Sequence, residues 1–324
     1  LDEALELRTA GINAPIHVLS YTSPCRVSDI VENRLIQTVY RPDLAEAISE
    51  YSISRGFSTP IPIHIKVDTG MYRAAMPAAS ESLDIVSNIS RLPGVVVEGI
   101  MTHFATSDEP EREYTLRQLD IFLDFCDKLK RRGVNFRFKH TANSGAIVNF
   151  PESHLDIVRP GIVMYGLMSD KQMHLRKAVQ KSVMSFKARV ININQLNTDC
   201  TVSYGRTFRA MRPSVIATIA AGYADGYPRA LSNKGRLIVK DSFAPVAGAV
   251  CMDHLMLDVT DMENKPVVGD EAVIFGSTES LKLAVDEVSG LSGTINYEII
   301  CGIGKRVPRV YIENGQISKI KRLY

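Results

Sequence analysis

Ile63-His64-Ile65-Lys66-Val67-Asp68-Thr69-Gly70-Met71-Tyr72-Arg73 is a β-branched run that ends in a lysine and an aspartate, turns on a glycine and delivers an arginine. An apolar run of this length bounded by a glycine turn reads as a buried strand. The same arrangement recurs along the first half of the chain. Short Ile- and Val-rich runs at 16–19, 35–40, 63–67, 95–101, 136–139 and 157–164 alternate with segments at 43–55, 80–91 and 113–132 whose apolar residues recur at i, i+3 and i+4. Strands alternating with helices imply parallel pairing through crossover helices.

Polar residues gather where these strands end: Lys66 and Asp68, His103, His140 to Ser144, and Arg159. No glycine-rich phosphate turn follows an early strand, as an open doubly wound sheet would require. The distribution therefore points to a (β/α)8 TIM-like barrel, which keeps its chemistry at the carboxyl ends of its strands. Only six strands can be counted, so the barrel is read as lacking its first strands in this chain. From about Ser182 the texture changes to strands and turns at 183–193, 215–221, 236–239, 246–250, 254–259 and 271–275, with one helix at 283–288. The expected domains are thus a barrel over 1–180 and a mostly β C-terminal domain over 181–324.

Composition narrows the function. The 324 residues are 45% hydrophobic and 23% charged, ample for two cores. Lys plus Arg number 38 against 36 Asp plus Glu, which leaves no electrostatic footprint for nucleic acid. No run approaches the roughly 20 apolar residues of a spanning helix, so no membrane contact by these residues is expected. The five scattered cysteines contain no C-x-x-C pair, which argues for a reducing, cytoplasmic setting rather than a disulfide framework or zinc ribbon. The opening residues 1–8 read as an amphipathic helix with no methionine and no signal-peptide features, as though the chain starts inside a domain.

Residue chemistry suggests a small anionic ligand. Arg73 can bind a carboxylate through its planar fork, and Lys66 can form a Schiff base or position its neighbours; a solvated strand-end charge cluster is the competing reading. His103 taken alone reads as a structural histidine. The turn His140-Thr141-Ala142-Asn143-Ser144-Gly145 leads from a strand into a short helix, and backbone N–H groups at such a start bind anions. Arg159-Pro160-Gly161-Ile162 adds a strand-end arginine and a glycine that lets backbone approach a phosphate. Tyr204, Tyr223, Met252 and Tyr297 lie in segments that, one by one, also read as packing residues.

Taken in order, HIKVDTGMYR, MTHFATSDE, HTANSGAIVNFP, VRPGIVMYGL, VSYGRTF, AAGYADGYPR, GAVCMDH, INYEI and KRVPRVY closely resemble the alanine racemase family. The resemblance implies an isomerase that uses pyridoxal 5'-phosphate to interconvert L- and D-alanine, supplying D-alanine for peptidoglycan. It implies a homodimer with shared active sites and a small amino-acid substrate. By position, Arg159 would face the pyridine nitrogen, and Ser144, Gly161, Ile162, Tyr297 and the adjoining Asn143 would serve the phosphate. Arg73 would orient the substrate carboxylate, with Lys66 as a carbamate site that steadies it. Tyr204 would be one acid/base group, relayed by His103 beside Arg159. Tyr204 and Met252 would come from the partner subunit, and Tyr223 would line the substrate entrance.

One element of the pattern is missing. The family's cofactor lysine lies in a K-A-N-A-Y-G-H-G-like segment that these residues do not contain, so it is expected upstream. A rival assignment makes Lys66 the Schiff-base lysine, although its DTGM context matches the carbamate position. The related vancomycin-resistance serine racemases, membrane-anchored upstream, replace the tyrosine of INYE with a smaller polar residue; Tyr297 is retained here, which favours alanine. The irregular Met71-Tyr72-Arg73-Ala74-Ala75, where the family has a glycine near the arginine, keeps serine open. A catalytically silent relative is a third reading. A basic-amino-acid decarboxylase fits less well, because Arg159 stands where those enzymes have an acid.

Overall fold

The computed structural model describes residues 1–167 and 181–322. They divide into two compact units, one over Leu1–Gly161 and the other from Ile162 onward.

The first unit is a parallel sheet in the order β1 (His17–Val18), β2 (Ile36–Val39), β3 (Ile61–Asp68), β5 (Val95–Met101) and β6 (Phe138–His140), with the short β4 (Met76–Pro77) beside β3. Helices α1 (Asp2–Thr9), α2 (Val27–Glu32), α3 (Pro42–Ser54), α4 (Ser80–Ile89), α5 (Glu113–Arg131) and α6 (Ser144–Asn149) precede, connect or follow the strands. This is a portion of a TIM-like barrel, as the strand and helix alternation predicts. Side chains of a strand alternate between faces. In β3, Ile61, Ile63, Ile65 and Val67 therefore enter the apolar core, which leaves His64 and Lys66 on the opposite face. Helix α5 shows the complementary logic, since Leu119, Phe122, Phe125, Cys126 and Leu129 are buried on one stripe.

The sixth candidate strand, 157–164, does not form. Isolated backbone bonds tie Asp156 to Lys139 and Arg159 to Ala142, and the chain then enters a 3₁₀ turn at Ile162–Tyr165. Pro160 has no N–H with which to continue a ladder. Arg159 is thus held beside the end of β6 by one backbone bond rather than by a strand of its own. The domain boundary expected at 180/181 adjoins residues 168–180, which lie outside the described residues, as do 323–324.

In the second unit, β7 (Phe186–Leu196), β10 (Ser214–Ile219), β11 (Arg236–Val239), β12 (Ser242–Pro245), β13 (Leu255–Asp258) and β14 (Glu271–Ser277) form an antiparallel sheet in the order β12-β11-β14-β7-β10-β13. Smaller pieces are the hairpin β8 (Thr201–Val202) with β9 (Phe208–Arg209), β15 (Lys282–Leu283) on β14, and the hairpin β16 (Arg309–Glu313) with β17 (Gln316–Lys321). Helices α7 (Val285–Ser292) and α8 (Asn296–Cys301) pack with the sheet residues Leu237, Val239, Ala272 and Ile274 through Val285, Val288 and Ile299. The expected strand at 246–250 is reduced to a single bridge, Val246 with Leu257, because Gly248 turns left-handed at φ +87°. All five cysteines are free thiols. No helix among the described residues is long and apolar enough to cross a membrane.

Candidate active site

The end of β6 organises the first unit's polar groups around Arg159. Its Nη1 donates to His140 Nδ1 at 2.8 Å, and its Nη2 donates to the carbonyls of Thr102 at 2.7 Å and Thr141 at 2.9 Å. His103 Nδ1 stands 3.5 Å from the same Nη2. Burial pushes the guanidinium down to about 10, still cationic at neutral pH. No carboxylate pairs with it among the described residues, so its positive charge is not neutralised within the site.

Arg159 sets a chain of tautomers. Because it donates to His140 Nδ1, the imidazole proton of His140 sits on Nε2, which donates to His64 Nδ1 at 2.8 Å. The proton of His64 is left on Nε2, 3.6 Å from Glu98 Oε2, beyond hydrogen-bond length. His17 closes the cluster, its Nε2 2.9 Å from Thr38 Oγ1. Burial first, then nearby positive charge, depresses His103 and His17 to about 3, and His140 to about 2. Burial also lowers His64, against the pull of Glu98. The ligand-capable nitrogens of His17, His64 and His140 lie within 4.8 Å of one another. His140 has both ring nitrogens engaged, by Arg159 and by His64, and the Arg159 guanidinium beside the cluster disfavours a bound cation.

Lys66, Arg73 and His103 line one small cavity with Asp68, Met71 and Thr102. Lys66 is buried, and its ammonium is driven down mainly by that burial and next by Arg73 and Arg159. The turn that delivers Arg73 is fixed by Asp68 Oδ1, which accepts from the N–H groups of Gly70 and Met71, and by the Tyr114 hydroxyl donating to Gly70 O at 2.8 Å. Tyr72 holds φ +52°, a left-handed value that non-glycine residues rarely adopt, with its ring 88% exposed. Strain of this kind is kept where the surrounding structure fixes the turn, often at functional sites.

Asn143 caps α6 through Oδ1, which accepts from Ala146 N at 3.0 Å and from Ser107 Oγ at 2.6 Å. Ser144 opens the helix, and its Oγ accepts from Gly161 N at 2.8 Å. The helix start and the Arg159-Pro160-Gly161 segment are thereby joined. Gln118 on α5 braces the neighbouring loop, accepting from Ala105 N and donating to the carbonyl of His103. The sequence reading passed over Gln118, His64 and His17; His64 lies two residues before Lys66 on the same strand face, which was the available signal.

The remaining candidates belong to the second unit. Ile162 buries its side chain in that unit's core, so only its backbone could serve a ligand. Tyr204 is 75% exposed, in a turn where Ser203, Gly205 and Arg206 all have positive φ. Ser203 Oγ donates to Ala249 O at 2.6 Å, which ties this turn to the loop leading to Met252. Tyr223, Met252 and Tyr297 are also exposed, Tyr297 on α8.

A partial parallel barrel with a cationic strand mouth, together with a separate antiparallel domain that presents exposed tyrosines, defines the barrel-plus-β-domain class. The chain belongs to the alanine racemase family: residues 1–169 match the model of the alanine racemase N-terminal domain, and residues 183–311 that of the C-terminal domain. It is 42% identical to alanine racemase 1 of Clostridium acetobutylicum, covering 99% of this chain and 82% of that protein. It is 44% identical to the alanine racemase of Desulforamulus reducens, covering 96% and 83%. Among solved structures, the alanine racemase of Clostridium difficile matches with a TM-score of 0.92 at 34% identity, covering 99% of this chain and 82% of that one. The Bacillus anthracis enzyme with bound L-Ala-P matches with a TM-score of 0.90 at 34% identity, over the same shares.

Proposed function

We propose that the chain acts as a pyridoxal-phosphate-dependent isomerase that interconverts L- and D-alanine. The observation that carries the reading is Arg159: a charged guanidinium anchored by a histidine and two carbonyls, with Nε–H and one Nη1 hydrogen not engaged by them, fits a ring-nitrogen acceptor. The joined helix start at Asn143, Ser144 and Gly161 fits a phosphate. On this reading Ser144, Gly161, the backbone of Ile162 and Tyr297 hold the phosphate, and Asn143 shapes the cradle.

Bound pyridoxal phosphate draws electrons from the substrate's α-carbon and so acidifies its proton. Arg159 would donate to the ring nitrogen of a bound cofactor without surrendering its own proton, which would moderate that withdrawal and disfavour transamination. Arg73 binds the substrate carboxylate. Lys66, whose ammonium is disfavoured by burial, releases a proton, adds carbon dioxide through its amine nitrogen and loses a second N–H proton to solvent, giving a carbamate whose negative charge steadies Arg73. Racemisation needs acid/base groups on both faces of the α-carbon. Tyr204 serves one face, with His103 beside Arg159 as its relay, and a lysine outside these 324 residues serves the other. Met252 and Tyr223 bound the space for the side chain.

Tyr204 and Met252 are contributed by a second copy of the chain, which makes the enzyme a homodimer. A cytoplasmic setting agrees with five free thiols. The relatives are alanine racemases by name, which supports alanine over serine. Racemisation of L-alanine and L-serine by the holoenzyme, followed by circular dichroism, tests the reading. Faster turnover of alanine is expected, and a preference for serine or absence of turnover would overturn it. Borohydride reduction and peptide mapping should find no pyridoxyl adduct on Lys66.

A further inference from the structure

Three loops of the second unit meet at one guanidinium. Arg306 Nε donates to Asp225 Oδ1 at 2.8 Å, and its Nη2 donates to Asp253 Oδ1 at 2.6 Å. Asp225 lies two residues after Tyr223, and Asp253 directly follows Met252. Arg306 itself lies five residues beyond Cys301, the last residue of the helix that carries Tyr297.

The loops are in backbone contact beneath this clamp. Tyr223 N donates to Cys251 O, Ala224 N to Met252 O, and Gly304 N to Asp225 O, each at 3.0 Å. Asp225 Oδ2 accepts from Gly222 N at 2.9 Å, so one carboxylate serves both its own turn and the clamp. Glycine makes the approach feasible. A Cβ at Gly222 would lie 2.3 Å from the carbonyl oxygens of Cys251 and Met252, and one at Gly304 would lie 2.6 Å from Ala224 O. A surface ion pair alone is worth little. Here the bonds of one planar fork span two carboxylates on separate loops, whose backbones are already in register.

We infer that Arg306 is a positioning residue that fixes the heights of Tyr223 and Met252, and so sets the fit of the substrate side chain. This rests on the assignment of those two residues to the substrate. Removing the clamp leaves the sheet and its core untouched, because none of the three side chains belongs to it. It releases the loops to sample other positions, so loss appears as weaker substrate binding rather than as a slower proton transfer.

The test compares Arg306→Met and Arg306→Lys with the parent holoenzyme by amide hydrogen exchange and by kinetics. Arg306→Met should speed exchange at Tyr223, Ala224 and Gly304 by about tenfold while the strands keep their protection. It should raise KM for alanine by about fivefold or more with kcat changed by less than about twofold. Arg306→Lys should recover part of both effects. A doubly substituted Arg306→Met, Asp253→Asn protein should lose little more than Arg306→Met alone, as expected for partners in one interaction. Unchanged exchange in the loops overturns the clamp, and faster exchange with unchanged KM overturns its bearing on the substrate. If the parent protein fails to racemise alanine, the proposed function falls, while the exchange comparison still decides whether Arg306 holds the loops.

Discussion

Arg159 shows how much one residue's neighbours decide. Charge-assisted hydrogen bonds are worth about 1.5–3 kcal/mol each. Arg159→Met should lower kcat/KM for alanine by about 10–100-fold, measured by coupled assay. It should also destabilise the protein by about 1–3 kcal/mol in urea, because His140 Nδ1 and the carbonyls of Thr102 and Thr141 lose a common donor. The histidines set a pH limit. His17, His103 and His140 titrate at about 2 to 3 in the folded chain, and His64 is also lowered, against about 6.5 when unfolded. Below 6.5 the unfolded chain binds more protons, so folding stability is complete above that pH and falls as pH drops toward the folded values. Urea midpoints measured at pH 7.5 and pH 5 should therefore differ, with the lower pH less stable, and Asn in place of His17 should shrink the difference. His103 was legible in the sequence as a candidate; its neutrality was not, because desolvation depends on what packs over the ring.

At the level of elements, β5 illustrates a constraint that no periodicity reveals. Gly99 faces the His64 ring, and a Cβ there would lie 2.5 Å from Cε1. Gly99→Ala should cost about 1–3 kcal/mol by overpacking, read as a lowered urea midpoint, and should displace His64 from His140. An unchanged midpoint would show that the ring can move freely. Most barrel elements were readable because burial on one face imposes period 2 on strands and period 3.6 on helices. The exceptions have local causes. Residues 157–164 are apolar enough for a strand, yet Pro160 removes the ladder donor; the 246–250 run breaks at the left-handed Gly248. The β16–β17 hairpin carried a signal left unread: Asn314 and Gly315 are an Asn-Gly pair, both with positive φ, the chemistry of a tight hairpin turn.

For the whole molecule, the proposed sharing of active sites requires two copies. Light scattering of the holoenzyme should give twice the mass that denaturing mass spectrometry gives for one chain, and a monomer that racemises alanine at full rate would refute the sharing of Tyr204. The sequence by itself determined the two-part architecture and the family, because these depend on periodicity and on ordered short motifs. Only the tertiary structure decided that Arg159 is anchored by a histidine chain running through His140 to His64, that Tyr204 sits in a strained turn, and that Arg306 joins the loops of Tyr223 and Met252. Those contacts link residues up to 81 positions apart, as between Asp225 and Arg306. Hydrogen-bond direction and desolvation act through space, and the order of residues along a chain does not record them.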